Sequence, residues 1–171
     1  MSKWENKKIR DICSEICSGG TPKSSVSEYY NGNIPWLNTN EINFNAIYQT
    51  KNHISASGLS NSAAKYVQSN AVIVAMYGAT AGKCAISKIP LTTNQACCNL
   101  TINSQLADFR YIFYYLKLNS SALENLATGG AQQNLNIATI KKFKICLPDL
   151  PTQTRIADIL SAYDYFLLGT L

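Results

Sequence analysis

Ala71-Val72-Ile73-Val74-Ala75-Met76-Tyr77-Gly78-Ala79-Thr80-Ala81-Gly82-Lys83 decides how this chain folds. The uncharged run Ala71 to Tyr77 reads as a buried strand, Gly78 and Gly82 punctuate it, and Lys83 to Ser87 reads as the return strand. Downstream, Gln95 to Ile102 alternates as a third strand: Ala96, Cys98, Leu100 and Ile102 share one face, while Cys97, Asn99 and Thr101 take the other.

Further on, Asp108 caps an expected helix whose stripe is Leu106, Phe109, Ile112, Phe113 and Leu116. The helical region resumes through Leu123 and Leu126 and ends at Gly129-Gly130. Tyr111, Tyr114 and Tyr115 sit on or beside that stripe, which favours core packing over base stacking. Phe143, Ile145 and Leu147 then alternate with Lys142, Lys144 and Cys146 as a last short strand with a basic outer face. After Pro148-Asp149-Leu150-Pro151, Ile156, Ile159, Leu160, Tyr163 and Phe166 or Leu167 recur at helical spacing. That stripe is apolar enough to need a partner, either its own domain or another chain.

Upstream of the decisive stretch, Ile9 to Cys17 is a short amphipathic segment, and Ser18 to Ser25 is a Gly-, Pro- and hydroxyl-rich surface loop carrying Lys23. A turn at Tyr29-Tyr30-Asn31-Gly32-Asn33 leads into the extended piece Ile34 to Leu37. Asn38-Thr39-Asn40-Glu41-Ile42 leaves that piece rich in amides and hydroxyls. Ile54 to Tyr66 reads as a short helix opened by Ser55 or Ser57, with Gly58 weighing against it.

The 171 residues, 46% of them hydrophobic, suffice for one packed domain and an appendage. Fifteen Lys and Arg against ten Asp and Glu give a net charge of +5, which permits a nucleic-acid partner without requiring one. No stretch approaches the roughly 20 apolar residues that span a bilayer, so a soluble, cytoplasmic protein with no membrane partner is expected. The sequons at Asn99 and Asn119 are then chance. Cys13, Cys17, Cys84, Cys97, Cys98 and Cys146 lack close Cys-x-x-Cys pairs, and His53 is the single imidazole. They read as small core residues in a reducing compartment, with no metal site and no disulfide framework.

Candidate chemistry fails on specific residues. Gly78-Ala-Thr-Ala-Gly82-Lys83 is one residue short of a nucleotide P-loop, and Cys84 stands where a magnesium-binding hydroxyl belongs. A turn presenting Thr80 and Lys83 to a DNA phosphate fits the same physics. Asn33-Ile34-Pro35-Trp36 resembles the Asn-Pro-Pro-aromatic loop of amino-methyltransferases, but Ile34 replaces the first proline and no cofactor loop accompanies it. Pro148-Asp149 is not followed by the acidic-x-Lys element of a nuclease, and no context ties His53 to a cysteine nucleophile. No catalytic residue and no cofactor are assigned.

What remains is a set of polar loops: Thr21 to Ser25, Asn38 to Asn40, Thr80 to Lys83, Thr92 to Gln95, and Gln132 to Asn134. Asn and Gln can bond the adenine edge twice, while Lys, Ser and Thr contact guanine or phosphate. The candidate DNA-binding residues are Thr21, Lys23, Ser24, Asn38, Asn40, Thr80, Lys83, Asn94, Gln95, Gln132, Gln133 and Asn134. Each has a bland reading as polar surface, and their number carries the argument.

Taken in order, Gly19-Gly20-Thr21-Pro22, Ile34-Pro35-Trp36-Leu37, Tyr77 to Lys83, Asn94-Gln95, Gly129-Gly130 with Asn134-Leu135, and Leu147-Pro148 to Leu160 resemble one family. It is the target-recognition domain of the specificity (S) subunit of type I restriction-modification enzymes. The resemblance implies a mixed α/β (α+β) domain over 1–148 that grips one half of a split double-stranded DNA target. Residues 149–171 would begin a spacer and dimerisation helix, with Ile156, Ile159, Leu160, Tyr163, Phe166 and Leu167 facing partners. Methyltransferase subunits, and through them the restriction subunit, would supply all catalysis.

Family members usually carry two recognition domains and two spacer helices. This chain has one of each, and its helix reaches only about five turns past Pro151. It therefore reads as half a subunit, and a truncated gene, a natural half-subunit or a cloned fragment would all look like this; for a natural half-subunit, a homodimer with antiparallel tail helices would restore two half-site readers. The rival readings are a protein-docking adaptor working through the tail helix and a small stand-alone methyltransferase or nuclease. The missing motifs weigh against the enzymes, and the polar loops against a pure adaptor.

Overall fold

The computed structural model describes residues 4–126 and 135–168. In chain order the N-terminal half supplies β1 (Glu5–Lys8), β2 (Cys13–Ser18), β3 (Ile34–Leu37), β4 (Asn45–Ile47), β5 (Asn52–Ile54), α1 (Ala56–Ser60) and β6 (Tyr66–Val67). The decisive stretch supplies β7 (Val72–Ala75) and β8 (Cys84–Ser87), followed by β9 (Leu91–Thr93) and β10 (Cys97–Ile102). The remainder is α2 (Phe109–Leu118), α3 (Ser120–Glu124), α4 (Ile137–Lys142), β11 (Lys144–Leu147) and α5 (Leu150–Leu168).

β7 and β10 lie at the centre of a five-stranded sheet ordered β2-β10-β7-β8-β4, antiparallel except for the parallel β4–β8 pair. Both faces of this sheet are covered, which is why Ala71 to Ala75 needs no polar alternation. On one face Val72, Val74, Ile86, Cys98 and Leu100 pack with Ile112, Phe113 and Leu116 of α2. On the other, Ile73, Ala75, Ala85 and Cys97 meet Leu37, Leu91 and Val67 from a four-stranded sheet ordered β5-β3-β9-β6. Full burial of an Ile or Leu side chain contributes about 1.5–3 kcal/mol, so this double-sided sheet is the main source of stability.

The two sheets are joined at Gly19. A Cβ there would sit 2.0 Å from the Thr93 carbonyl oxygen, so only glycine lets the chain leaving β2 lie against the end of β9. Gly20 N–H then donates to that same carbonyl at 2.9 Å, and the Trp36 indole N–H donates to the Gly20 carbonyl at 3.0 Å. A third, two-stranded ribbon pairs β1 with β11, opposing Lys8 with Lys144.

Asp108 caps α2 by accepting the Arg110 N–H at 2.8 Å. Leu106 precedes the helix in a turn and is about half exposed, so it is not part of the stripe. The helix expected over 54–66 shortens to α1, capped by Ser55, because Ile54 is paired to Ile34 in β5–β3 and Tyr66 to Thr92 in β6–β9. Thr92 and Thr93 belong to β9 and are buried, so only Asn94 and Gln95 of the expected Thr92–Gln95 loop are irregular. α4 was not foreseen; its cap is Asn136, which accepts the Thr139 N–H at 2.9 Å.

The tail helix begins at Leu150, where Asp149 accepts the Thr152 N–H at 2.9 Å. It lies on α2 through Gln153, Ala157, Ser161 and Asp164, and of its apolar stripe Ile156 packs against the core. Ile159, Leu160 and Tyr163 are exposed, and Ile156 is half-buried. The side chains of Phe166 and Leu167 lie outside the described residues. Among the described residues no helix is long and apolar enough to cross a membrane.

Candidate nucleic-acid interface

The loops that interrupt the sheets converge, and amide side chains tie them together. The turn after β7 has Gly78 at φ 75° and Gly82 at φ 81°, the left-handed backbone that reverses the chain at little cost only for glycine. It packs against the Thr39–Glu41 turn that follows β3. From its end, the Lys83 ammonium donates to Asn43 Oδ1 at 2.8 Å.

A chain of bonds continues from there. Asn43 N–H donates to Asn45 Oδ1 at 2.8 Å, and Asn45 Nδ2 donates to the Glu41 carbonyl at 3.3 Å. The Glu41 carboxylate accepts the Asn38 N–H at 3.1 Å and the Lys51 N–H at 2.8 Å. Asn38 Oδ1 in turn accepts Asn94 Nδ2 at 3.0 Å. Beside Asn94, Gln95 accepts a hydrogen bond from the Thr21 hydroxyl. The loops carrying Thr21, Asn38, Lys83, Asn94 and Gln95 are therefore held as one surface, though they come from distant parts of the sequence.

The candidates divide by what their side chains do within this surface. Asn94 is committed internally, since its Oδ1 also accepts the Ala96 N–H at 3.1 Å. It holds Asn38 in place. Thr21, Lys23, Ser24 and Asn40 are exposed, and Thr80 and Lys83 are half-buried; the Thr21 hydroxyl donates to Gln95, and Asn43 takes one of the three donors of the Lys83 ammonium. Gln132, Gln133 and Asn134 lie outside the described residues. Glu41, Asn43 and Asn45 went unassigned in the sequence; the signal available was the run of asparagines at 38, 40, 43 and 45. Phe44, in the middle of that run, is held at φ 56° and anchored by its N–H to the Cys84 carbonyl at 2.9 Å. A non-glycine residue in that region is strained, and the surrounding bonds hold it there.

The surface lacks the elements of a catalytic centre among the described residues. Burial pushes the Cys84 and Cys97 thiols up to about 12, with the Asn94 backbone opposing it only in part at Cys97, so both stay protonated and unreactive near neutral pH. No group of three or more His, Cys, Asp or Glu is placed to hold a metal among the described residues. What the arrangement can do is present amides, hydroxyls and ammonium groups at fixed spacing, which suits hydrogen bonding to base edges and phosphates.

A second surface lies on α2 and α5. Trp4, Tyr115, Leu118, Ile156, Leu160 and Tyr163 line a largely apolar groove of about 470 Å³. Polar pairs also join the two helices, Arg110 to Asp158 at 2.6 Å and, in the groove lining, Tyr114 to Asp164 at 2.9 Å.

Comparison with known proteins places these surfaces in a family. The chain is 29% identical over 165 residues to the specificity subunit of the type I restriction enzyme MjaIX of Methanocaldococcus jannaschii, covering 94% of this chain and 38% of that one. It is 32% identical over 153 residues to the HindI specificity subunit of Haemophilus influenzae, covering 85% of this chain and 32% of that one. The chain thus spans about a third of the length of these relatives. The fold matches the S subunit of a type I restriction-modification system from M. genitalium with a TM-score of 0.72 at 20% identity, over 98% of this chain and 41% of that one. It matches the HsdS subunit of Thermoanaerobacter tengcongensis with a TM-score of 0.72 at 17% identity, over 97% of this chain and 38% of that one. Residues 1–169 match the family described as type I restriction modification DNA specificity domain, and the chain belongs to that family.

Proposed function

We propose that this chain is a non-catalytic, sequence-specific DNA-reading component of a type I restriction-modification complex, acting in the cytoplasm. It reads one half of a split target and docks methyltransferase subunits, which bring in the restriction subunit. The observation that carries this reading, beside the family match, is the bonded network from Lys83 through Asn43, Asn45, Glu41 and Asn38 to Asn94. It makes the loops one rigid surface, as base readout requires. Thr21, Lys23, Ser24, Asn40, Thr80 and Lys83 face the DNA, with Asn38, Asn94 and Gln95 setting the geometry. Gln132, Gln133 and Asn134 complete the set. Residues 1–148 form the recognition domain, and 149–171 the start of the spacer helix.

The test is to map adenine methylation in cells expressing this chain with its cognate methyltransferase. A unique split motif is the expected result, and absence of any chain-dependent motif refutes the reading. Lys83→Ala should weaken binding to all sequences and lower the salt dependence by about one released counterion, whereas changing Gln132 or Asn134 should alter which sequence is preferred.

The exposure of Ile159, Leu160 and Tyr163 favours a second element of the proposal, a homodimer through antiparallel tail helices. It puts two readers on an inverted repeat. Light scattering at high concentration should show a dimer that Ile159→Asp dissociates; a monomer unaffected by that change removes this element and leaves the DNA reading intact.

A further inference from the structure

Beyond the loops already assigned, the Glu41 carboxylate fixes a segment that no motif marked. One oxygen holds the Asn38 N–H and the other the Lys51 N–H, so the Tyr48-Gln49-Thr50-Lys51 segment is clamped to the Thr39–Glu41 turn. Thr50 is buried, and its hydroxyl accepts the Trp36 N–H at 3.2 Å and donates to the Asn52 carbonyl at 2.8 Å. The segment is thus pinned at its third and fourth residues. Its other side chains project outward: Tyr48 is 68% exposed, and Gln49 and Lys51 are also exposed.

These residues share a recess of about 530 Å³ with Asn40, one of the proposed readers, and the edge strand β4 forms a wall of it. The recess lining is polar and apolar in nearly equal parts, unlike the apolar groove on α2 and α5. Both Glu41 oxygens are engaged by backbone N–H groups, which turns the one carboxylate in the recess lining toward the protein. An exposed ring, an amide and an ammonium on a clamped segment beside a reader match the chemistry of a nucleic-acid contact. A protein-docking patch of this size would be expected to have a more apolar centre.

We infer that Tyr48, Gln49 and Lys51 form an additional DNA-contact loop, with Gln49 reading a base edge, Tyr48 packing on sugar or base, and Lys51 meeting a phosphate. Glu41 is the positioning residue. The inference rests on the DNA reading above and extends it to a segment outside the candidate loops.

The experiment compares Gln49→Ala, Tyr48→Ala and Lys51→Ala with the unaltered chain, each expressed with its cognate methyltransferase, by mapping genomic adenine methylation. Binding to a duplex carrying the mapped motif is then measured across a salt series. Gln49→Ala should relax the motif at one position, with discrimination there falling about ten-fold. Lys51→Ala should lower the salt slope by about one without altering the motif, and Tyr48→Ala should weaken the specific complex. Glu41→Ala should relax the same position as Gln49→Ala, an outcome that general loss of stability does not produce. Because Tyr48, Gln49 and Lys51 are exposed, their variants should melt with the unaltered chain.

If the unaltered chain directs a split motif and all three exposed-site variants direct it with equal occupancy and salt slope, the inference is wrong and the DNA reading stands. If Tyr48→Ala keeps the motif but loses the methyltransferase on purification, the loop docks protein and the inference is overturned. If the unaltered chain directs no motif, the underlying reading fails first.

Discussion

The amide-linked loops and the seam between α2 and α5 are both polar assemblies on one folded body, built in opposite ways. The loops are joined largely by neutral amides bonding to one another and to backbone, while their outer side chains are left available. The seam is joined by charged and hydroxyl groups that pair across the two helices, with Ile159, Leu160 and Tyr163 exposed beside it. The two surfaces thus differ in which side chains pair with one another and which are left exposed. Polar groups left outward at the loops can pair with bases and phosphates, whereas Ile159 and Leu160 offer only apolar area.

The comparison can be broken at its supports. The largest effect is expected at Gly19, beneath the loops. Gly19→Ala places a methyl group against the Thr93 carbonyl, which cannot move without disturbing β9, and should cost about 3 kcal/mol in denaturant unfolding. Gln153→Ala, under the seam, comes next. Gln153 is buried, donates to the Pro148 carbonyl at 2.8 Å and accepts the Asp108 N–H at 3.0 Å, so its loss strands both groups and should cost about 2 kcal/mol.

The smallest effect separates the two regions by pH. Burial alone would raise the Asp108 carboxyl, but the Arg110 guanidinium and backbone N–H outweigh it and hold Asp108 below the usual carboxylate range. A depressed carboxylate contributes stability above its unfolded value, about 3.9, and loses it as pH falls through the lower folded value. Arg110→Ala should therefore cost about 1 kcal/mol near neutrality and flatten the acid limb of the stability profile below about pH 4. An unchanged acid limb would show that Arg110 does not hold the Asp108 carboxylate below its usual range. Base preference in the methylation map should stay fixed, because no loop residue contacts Arg110 among the described bonds.

Much of this was legible in the sequence for physical reasons. The uncharged run Ala71 to Tyr77 read as a buried strand, Asp108 as a helix cap, and Asn94 and Gln95 as amides in a polar loop. Short elements were harder. β4, β5 and β6 are two or three residues long and exist because distant strands pair with them, as Ile54 does with Ile34 and Tyr66 with Thr92. Tertiary pairing of that kind leaves no local period to read. The same holds for the site: Lys83 was identifiable beside its glycines, but its bond to Asn43, 40 positions away, is a property of the fold. The tail helix was legible as a helix, but its packing face was not. The stripe of Ile156, Ile159, Leu160 and Tyr163 called for a partner in its own domain or on another chain; Ile156 packs against the core, Ile159, Leu160 and Tyr163 stay exposed, and Gln153 and Ala157 are buried.

The ribbon of β1 and β11 carries a consequence for the order of events in folding. Its four residue pairs join Glu5–Lys8 to Lys144–Leu147, so it closes a loop containing every other strand among the described residues. Closing so long a loop costs entropy that four pairs, one of them two facing lysines, are poorly placed to offset. The sheets must form first and bring the two ends together. The ribbon is a clasp fastened late, and α5, which follows β11 directly, is held besides by its own packing on α2.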